Sequence, residues 1–66
     1  MTGTYLFVLG IVDAGGCDLR FEHCIVRASS ETDAYLFGQR EMEKAGHLPI
    51  GEDECANDYV VRLPAN

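Results

Sequence analysis

Basic residues are scarce in this chain: Arg20, Arg27, Arg40, Lys44 and Arg62 stand against eleven Asp and Glu, for a formal charge of −6. Without a basic stripe there is little to hold a phosphate backbone or an anionic membrane, so direct nucleic-acid binding and membrane binding are not expected, and a basic partner is favoured. Long apolar runs are missing as well. The segment Tyr5 to Val12 is far too short for a membrane span and no basic residue precedes it, so neither a transmembrane helix nor a signal peptide is expected. Three cysteines, Cys17, Cys24 and Cys55, are an odd number without the dense spacing of a secreted disulfide scaffold, which fits free thiols in a reducing cytoplasm.

Signatures of chemistry are equally thin. No Ser or Cys sits in a local nucleophile-and-base signature, and Gly15-Gly16 lacks the context of a phosphate loop. The run Glu52-Asp53-Glu54 lacks the alternating ligands and obligatory glycine of a calcium loop. His23 and Cys24 are adjacent on an expected strand, so their side chains point to opposite faces and do not form a zinc pair. His23 falls on the apolar side of that strand and reads as a core or edge histidine. Cys17, His47 and Cys55 could come together with nearby aspartates, as a metal site or as a Cys17–Cys55 disulfide, but structural zinc normally announces itself by paired ligands at short spacing. The expectation is a protein that is not an enzyme and holds no cofactor or metal.

What is present is a pattern for a small α+β domain of 66 residues and 47% hydrophobic content. At this size one core yields only a few kcal/mol of net stability. Thr4 to Val12 is β-branched and aromatic and ends at a glycine pair, which gives strand one and a hairpin. Asp18 to Ala28 alternates, with Leu19, Phe21 and Ile25 on one side and Arg20, Glu22 and Cys24 on the other, and reads as a half-buried strand two. Ser30 with Asp33 starts a helix, and Lys44 and Gly46 end it. Its buried stripe, Ala34, Gly38, Met42 and Ala45 flanked by Tyr35 and Phe37, is centred on small residues, so the helix should lie close to the sheet. Leu36 falls on its outer face. His47 to Asn57 reads as a loop, and Asp58 to Leu63 as strand three.

The element order is therefore ββαβ. Strand one is apolar on both faces, as a central strand requires, which gives a three-stranded antiparallel sheet of order 2-1-3 with one helix on one face. The other face is expected to combine the second side of strand one with Cys24, Val26 and Val60, rimmed by Arg20, Glu22 and Arg62, and an apolar centre with a charged border suits self-association or a partner. The same topology brings the strand one to two hairpin and the loop before strand three to one end. Asp13, Asp18, Glu52, Asp53, Glu54 and Asp58, six of the eleven acids, then converge within about a Debye length of ~8 Å, with Lys44 as the nearest counter-charge. Glu31, Asp33 and Glu43 form a second acidic patch on the helix.

In length, acidity, lack of a catalytic motif and ββαβ order, the chain resembles the small phage-encoded anti-CRISPR proteins, several of which are acidic domains that imitate DNA. The resemblance spans the whole chain and is architectural. It implies an inhibitor that blocks the lysine- and arginine-lined DNA or PAM-recognition site of a Cas effector complex. The expected function is thus a non-enzymatic inhibitor, a monomer or weak homodimer, docking its acidic surface on a basic nucleic-acid-binding protein. The alternative is a homodimeric accessory module that uses its open sheet face.

Overall fold

The computed structural model describes residues 2–16 and 19–64. Its elements follow the expected order: β1 (Gly3–Asp13), β2 (Leu19–Ala28), α1 (Glu31–Lys44) and β3 (Glu54–Arg62). β1 is the central strand, antiparallel to both neighbours, in sheet order β2-β1-β3. No helix is long and apolar enough to cross a membrane.

The covered face of the sheet is set by β1. Tyr5, Phe7, Leu9 and Ile11 are all buried under α1, as period-two alternation requires. Their register partners on β2 are Val26, Cys24, Glu22 and Arg20, and on β3 Arg62, Val60, Asp58 and Ala56. From the helix come Ala34, Gly38 and Met42, the small-residue stripe read from the sequence, and Leu48 and Ile50 of the following loop close the core over Phe7, Leu9 and Ile11. Ala45, expected on the same stripe, is exposed at the C-cap. Leu36 is exposed, as expected.

Helix boundaries follow the caps. Ser30 is the N-cap and its hydroxyl accepts from the Asp33 amide at 3.2 Å. At the other end Gly46, with φ of +85°, reaches the left-handed conformation that glycine adopts without strain. The chain leaves the helix there, its Gly46 and His47 amides donating to the Glu43 and Met42 carbonyls at 3.1 and 2.9 Å.

Two expectations are corrected. β3 begins at Glu54, four residues before the expected start at Asp58, because Glu54 to Asn57 pair with Asp13 to Gly10 of β1. An available central strand outweighs the poor strand propensity of that polar stretch. The second correction concerns which sides of the outer strands face the helix. Cys24, Val26 and Val60 pack against the core, and Arg20, Glu22 and Arg62 share their side of the sheet. The open face instead carries Leu6, Val8, Gly10 and Val12 of β1, Leu19, Phe21, His23 and Ile25 of β2, and Cys55, Asn57, Tyr59 and Val61 of β3. His23 is exposed there, not in the core. The reason is space. A helix seated on Ala34 and Gly38 lies so near the sheet that only small or medium side chains fit beneath it on β2, and the aromatic bulk comes from β1.

Candidate functional site at the acidic end

The β1–β2 hairpin and the α1–β3 loop meet at one end, as expected. Asp13 is the register partner of Glu54, and the amide of Ala14 donates to the carbonyl of Asp53. The hairpin turns through Gly16, at φ +69°, whose amide bonds the Asp13 carbonyl at 2.9 Å. The loop is closed by a reciprocal pair: the Gly51 amide donates to Glu54 Oε1 at 2.8 Å and the Glu54 amide to the Gly51 carbonyl at 3.1 Å. These bonds fix Asp13, Glu52, Asp53 and Glu54 on one rigid tip.

The acids expected to act together have different duties. Glu54 is engaged on both oxygens, since Oε2 also accepts from Arg20 Nη1 at 3.1 Å. Asp58 lies further along β3 on the helix side, opposite Leu9, and accepts from the Tyr35 hydroxyl at 2.7 Å. That hydroxyl also accepts from Gln39 Nε2 at 3.2 Å. Both carboxylates are therefore structural before they are anything else. Glu52 and Asp53 are exposed and, among the described residues, in no ion pair. Asp18 lies outside the described residues. Glu31 and Asp33 belong to the first turn of α1, at the far end of the molecule, where Asp33 Oδ2 accepts from the Ser29 hydroxyl at 3.2 Å, so they are no part of this tip. Glu43, exposed in the last turn of α1, is on the tip's half.

Phe7, with Cys24 and Val60 beside it and Gly38 above it, marks the middle of a body measuring 42 × 20 × 16 Å. On the tip side the described residues comprise eight acids, Asp13, Glu22, Glu41, Glu43, Glu52, Asp53, Glu54 and Asp58, against Arg20, Arg40 and Lys44, a formal −5. On the other side Glu31 and Asp33 are balanced by Arg27 and Arg62. Sequence reasoning missed Glu22 and Glu41 as members of this half. Topology alone was signal enough, since Glu22 stands opposite Leu9 on β2 and Glu41 lies past Gly38 on α1; Glu22 is 3.4 Å from His47 Nε2 and Glu41 is 3.6 Å from Lys44 Nζ.

Metal binding gains nothing from the geometry. His47 faces Glu22 on the helix side while Cys55 stands on the open face beside Val12, and Cys17 lies outside the described residues. Among the described residues no three His, Cys, Asp or Glu side chains cluster to hold an ion. Cys24 and Cys55 are free thiols. Burial first, and the Glu41 charge second, push the Cys24 thiol above its ordinary value, which makes it less reactive.

The Tyr35–Asp58 bond offers a direct test of the division of labour. The hydrogen bond to Asp58 holds the Tyr35 phenol above its ordinary 10.0, with burial and the Asp58 charge adding to it. The folded state then keeps that proton more tightly than the unfolded chain, so the stabilisation is intact below the ordinary phenol range and is lost as the pH rises through the raised value. Tyr35→Phe is expected to cost about 1 kcal/mol at neutral pH and to flatten the alkaline loss of stability, both read from urea denaturation. An unchanged midpoint would mean that Asp58 is free for a partner.

Comparison with family models, with curated proteins and with solved structures finds no match to this chain.

Proposed function

We propose that the protein is a non-enzymatic inhibitor that docks its acidic end in the phosphate-binding groove of a nucleic-acid-handling protein. The observation that carries this reading is the lengthwise separation of charge, among the described residues a formal −5 on one half against zero on the other. A body 42 Å long spans several Debye lengths of ~8 Å, so a basic groove meets the acidic end with little cancellation from the rest. The contact set is Glu52 and Asp53 at the tip, with Glu43 beside it. Asp13 adds to the field of the same tip, as do Glu54 and Asp58, which hold internal bonds.

Duplex DNA places one negative charge per ~1.7 Å of axis, and a groove built for it gains affinity by exchanging counterions for those charges. A rigid array of carboxylates enters the same groove by the same exchange. The resemblance to anti-CRISPR proteins makes the DNA or PAM-recognition site of a Cas effector complex the first target to examine.

The test is competition. Proteins captured from a native cell lysate on immobilised protein are challenged with duplex DNA and, separately, with salt raised from about 50 to 500 mM. The expected result is release by both, with affinity falling steeply with salt as polyelectrolyte displacement requires. A captured partner that keeps its hold in a large excess of DNA would remove this reading.

A further inference from the structure

The open sheet face is the largest feature that the acidic end does not use. Leu19 and Phe21 are 62% and 63% exposed, and Ile25, Tyr59 and Val61 stand beside them, each about half exposed. No acidic side chain falls on this face in the register of β1, β2 and β3, whose basic groups there are His23 near the middle and Arg27 at one end, beside the uncharged Thr4, Cys55 and Asn57. A basic protein finds no carboxylate to pair with here. A second copy, despite the overall charge, meets no like-charged acid.

The surface also has relief, although Leu6 is itself half-buried between its register partners Ile25 and Val61. Gly10 leaves a hollow in the central strand, a cleft of about 280 Å³ walled by Val12, Leu19, Phe21, Asn57 and Tyr59. The Phe21 ring borders it closely, for a Cβ on Gly10 would lie 3.2 Å from Phe21 Cε1. On the same strand and the same face, two residues to the other side of Val8, stands Leu6. A two-fold axis crossing the strands at Val8 places Leu6 of each copy over Gly10 of the other. The alternative axis, along the strands, stacks Gly10 on Gly10 and leaves a void, which costs contact energy. It also sets the two acidic ends side by side, whereas the crossing axis sends them to opposite ends and lays Arg27 toward the acidic half of the mate.

We propose that the open sheet face is the interface of a two-fold homodimer, its sheets packed face to face and antiparallel, with Leu6 of each copy seated in the Gly10 hollow of the other. Strands about 4.8 Å apart, with about 3.3 Å per residue, give each face a footprint on the order of 400 Å². Side chains present more accessible area than their footprint, so two faces bury about 1,000 Å², where specific interfaces begin. The pairing leaves both acidic ends free, so it stands or falls independently of the inhibitor reading.

Sedimentation equilibrium from about 1 µM to 1 mM is expected to show a reversible rise from monomer to dimer mass, the range suited to so small an interface. Phe21→Asp and Gly10→Val, both on the exposed side, are each expected to weaken dimerisation at least tenfold while the circular dichroism of the monomer is retained. In a mixed-label sample, intermolecular nuclear Overhauser contacts are expected from the Leu6 methyls to the Phe21 ring, which are too far apart within one copy to give them. Monomer mass throughout the range overturns the proposal and leaves the face to a partner of another sequence. A dimer indifferent to both substitutions, or contacts joining Phe21 to Asn57 and Tyr59 of the second copy, overturns the interface or its orientation.

Discussion

Gly38→Ala is expected to destabilise the protein by about 3 kcal/mol or more, most of what a chain of this size has to lose. On propensity alone the change should help, since alanine is favoured over glycine inside a helix by about 1 kcal/mol. The contact reverses the sign. A Cβ at Gly38 would run into the Phe7 ring and come within 2.7 Å of Phe7 Cβ. The ring could turn aside at some cost, but Phe7 Cβ is fixed to the central strand, and Phe7 is fully buried with Leu9 and Ile11 around it. Relief therefore requires the helix to lift off the sheet, which opens the contacts of Ala34 and Met42 as well. Urea denaturation of Gly38→Ala reads the effect directly. A midpoint raised by the propensity gain would show that the helix stands further from β1 than this packing holds.

Gly38 also explains what the sequence made legible and what it did not. The stripe Ala34, Gly38, Met42 is readable from helical spacing, and it correctly implies a close helix. The apolar alternation of β1 on both faces is readable too, and it forces the central position and the 2-1-3 order. What escapes is which side of β2 and β3 lies beneath the helix. Leu19, Phe21 and Ile25 are the more hydrophobic side of β2, and a burial argument by hydrophobicity alone puts them inside. The close approach permitted by Gly38 excludes such bulk, and the core takes Cys24, Val26 and Ala28 instead. Side-chain volume decided the matter, and volume becomes informative only when the separation of the layers is known. The acidic end was legible because it depends on topology alone: two connections at one end of a three-stranded sheet stay together whichever faces are covered. The separate duties of its members were not, since Arg20 reaching Glu54 and Tyr35 reaching Asp58 join residues far apart in sequence.

The double reversal Glu52→Lys and Asp53→Lys is expected to lower partner affinity by about 30- to 1,000-fold. The two changes shift the formal charge of the acidic half, counted over the described residues, from −5 toward −1, four units. At ~0.5–1 kcal/mol per exposed unit that amounts to about 2–4 kcal/mol, which the affinity scale converts to this range. Fold should be retained, because both side chains are exposed and the bond that ties the loop to the hairpin uses the main-chain carbonyl of Asp53. Glu54→Lys is the wrong variant for this purpose, since it would break the Arg20 pair and the Gly51 turn together. Glu31→Lys supplies the control: it changes the net charge by two at the far end of α1, and less than a threefold change is expected. Most of the loss should appear as slower association, and it should shrink as salt is raised, because the field that steers encounter is screened first. Equal losses for Glu31→Lys and for a single reversal at Glu52 would mean that overall charge matters and the acidic end does not. No loss for the double reversal would dispose of the electrostatic account altogether.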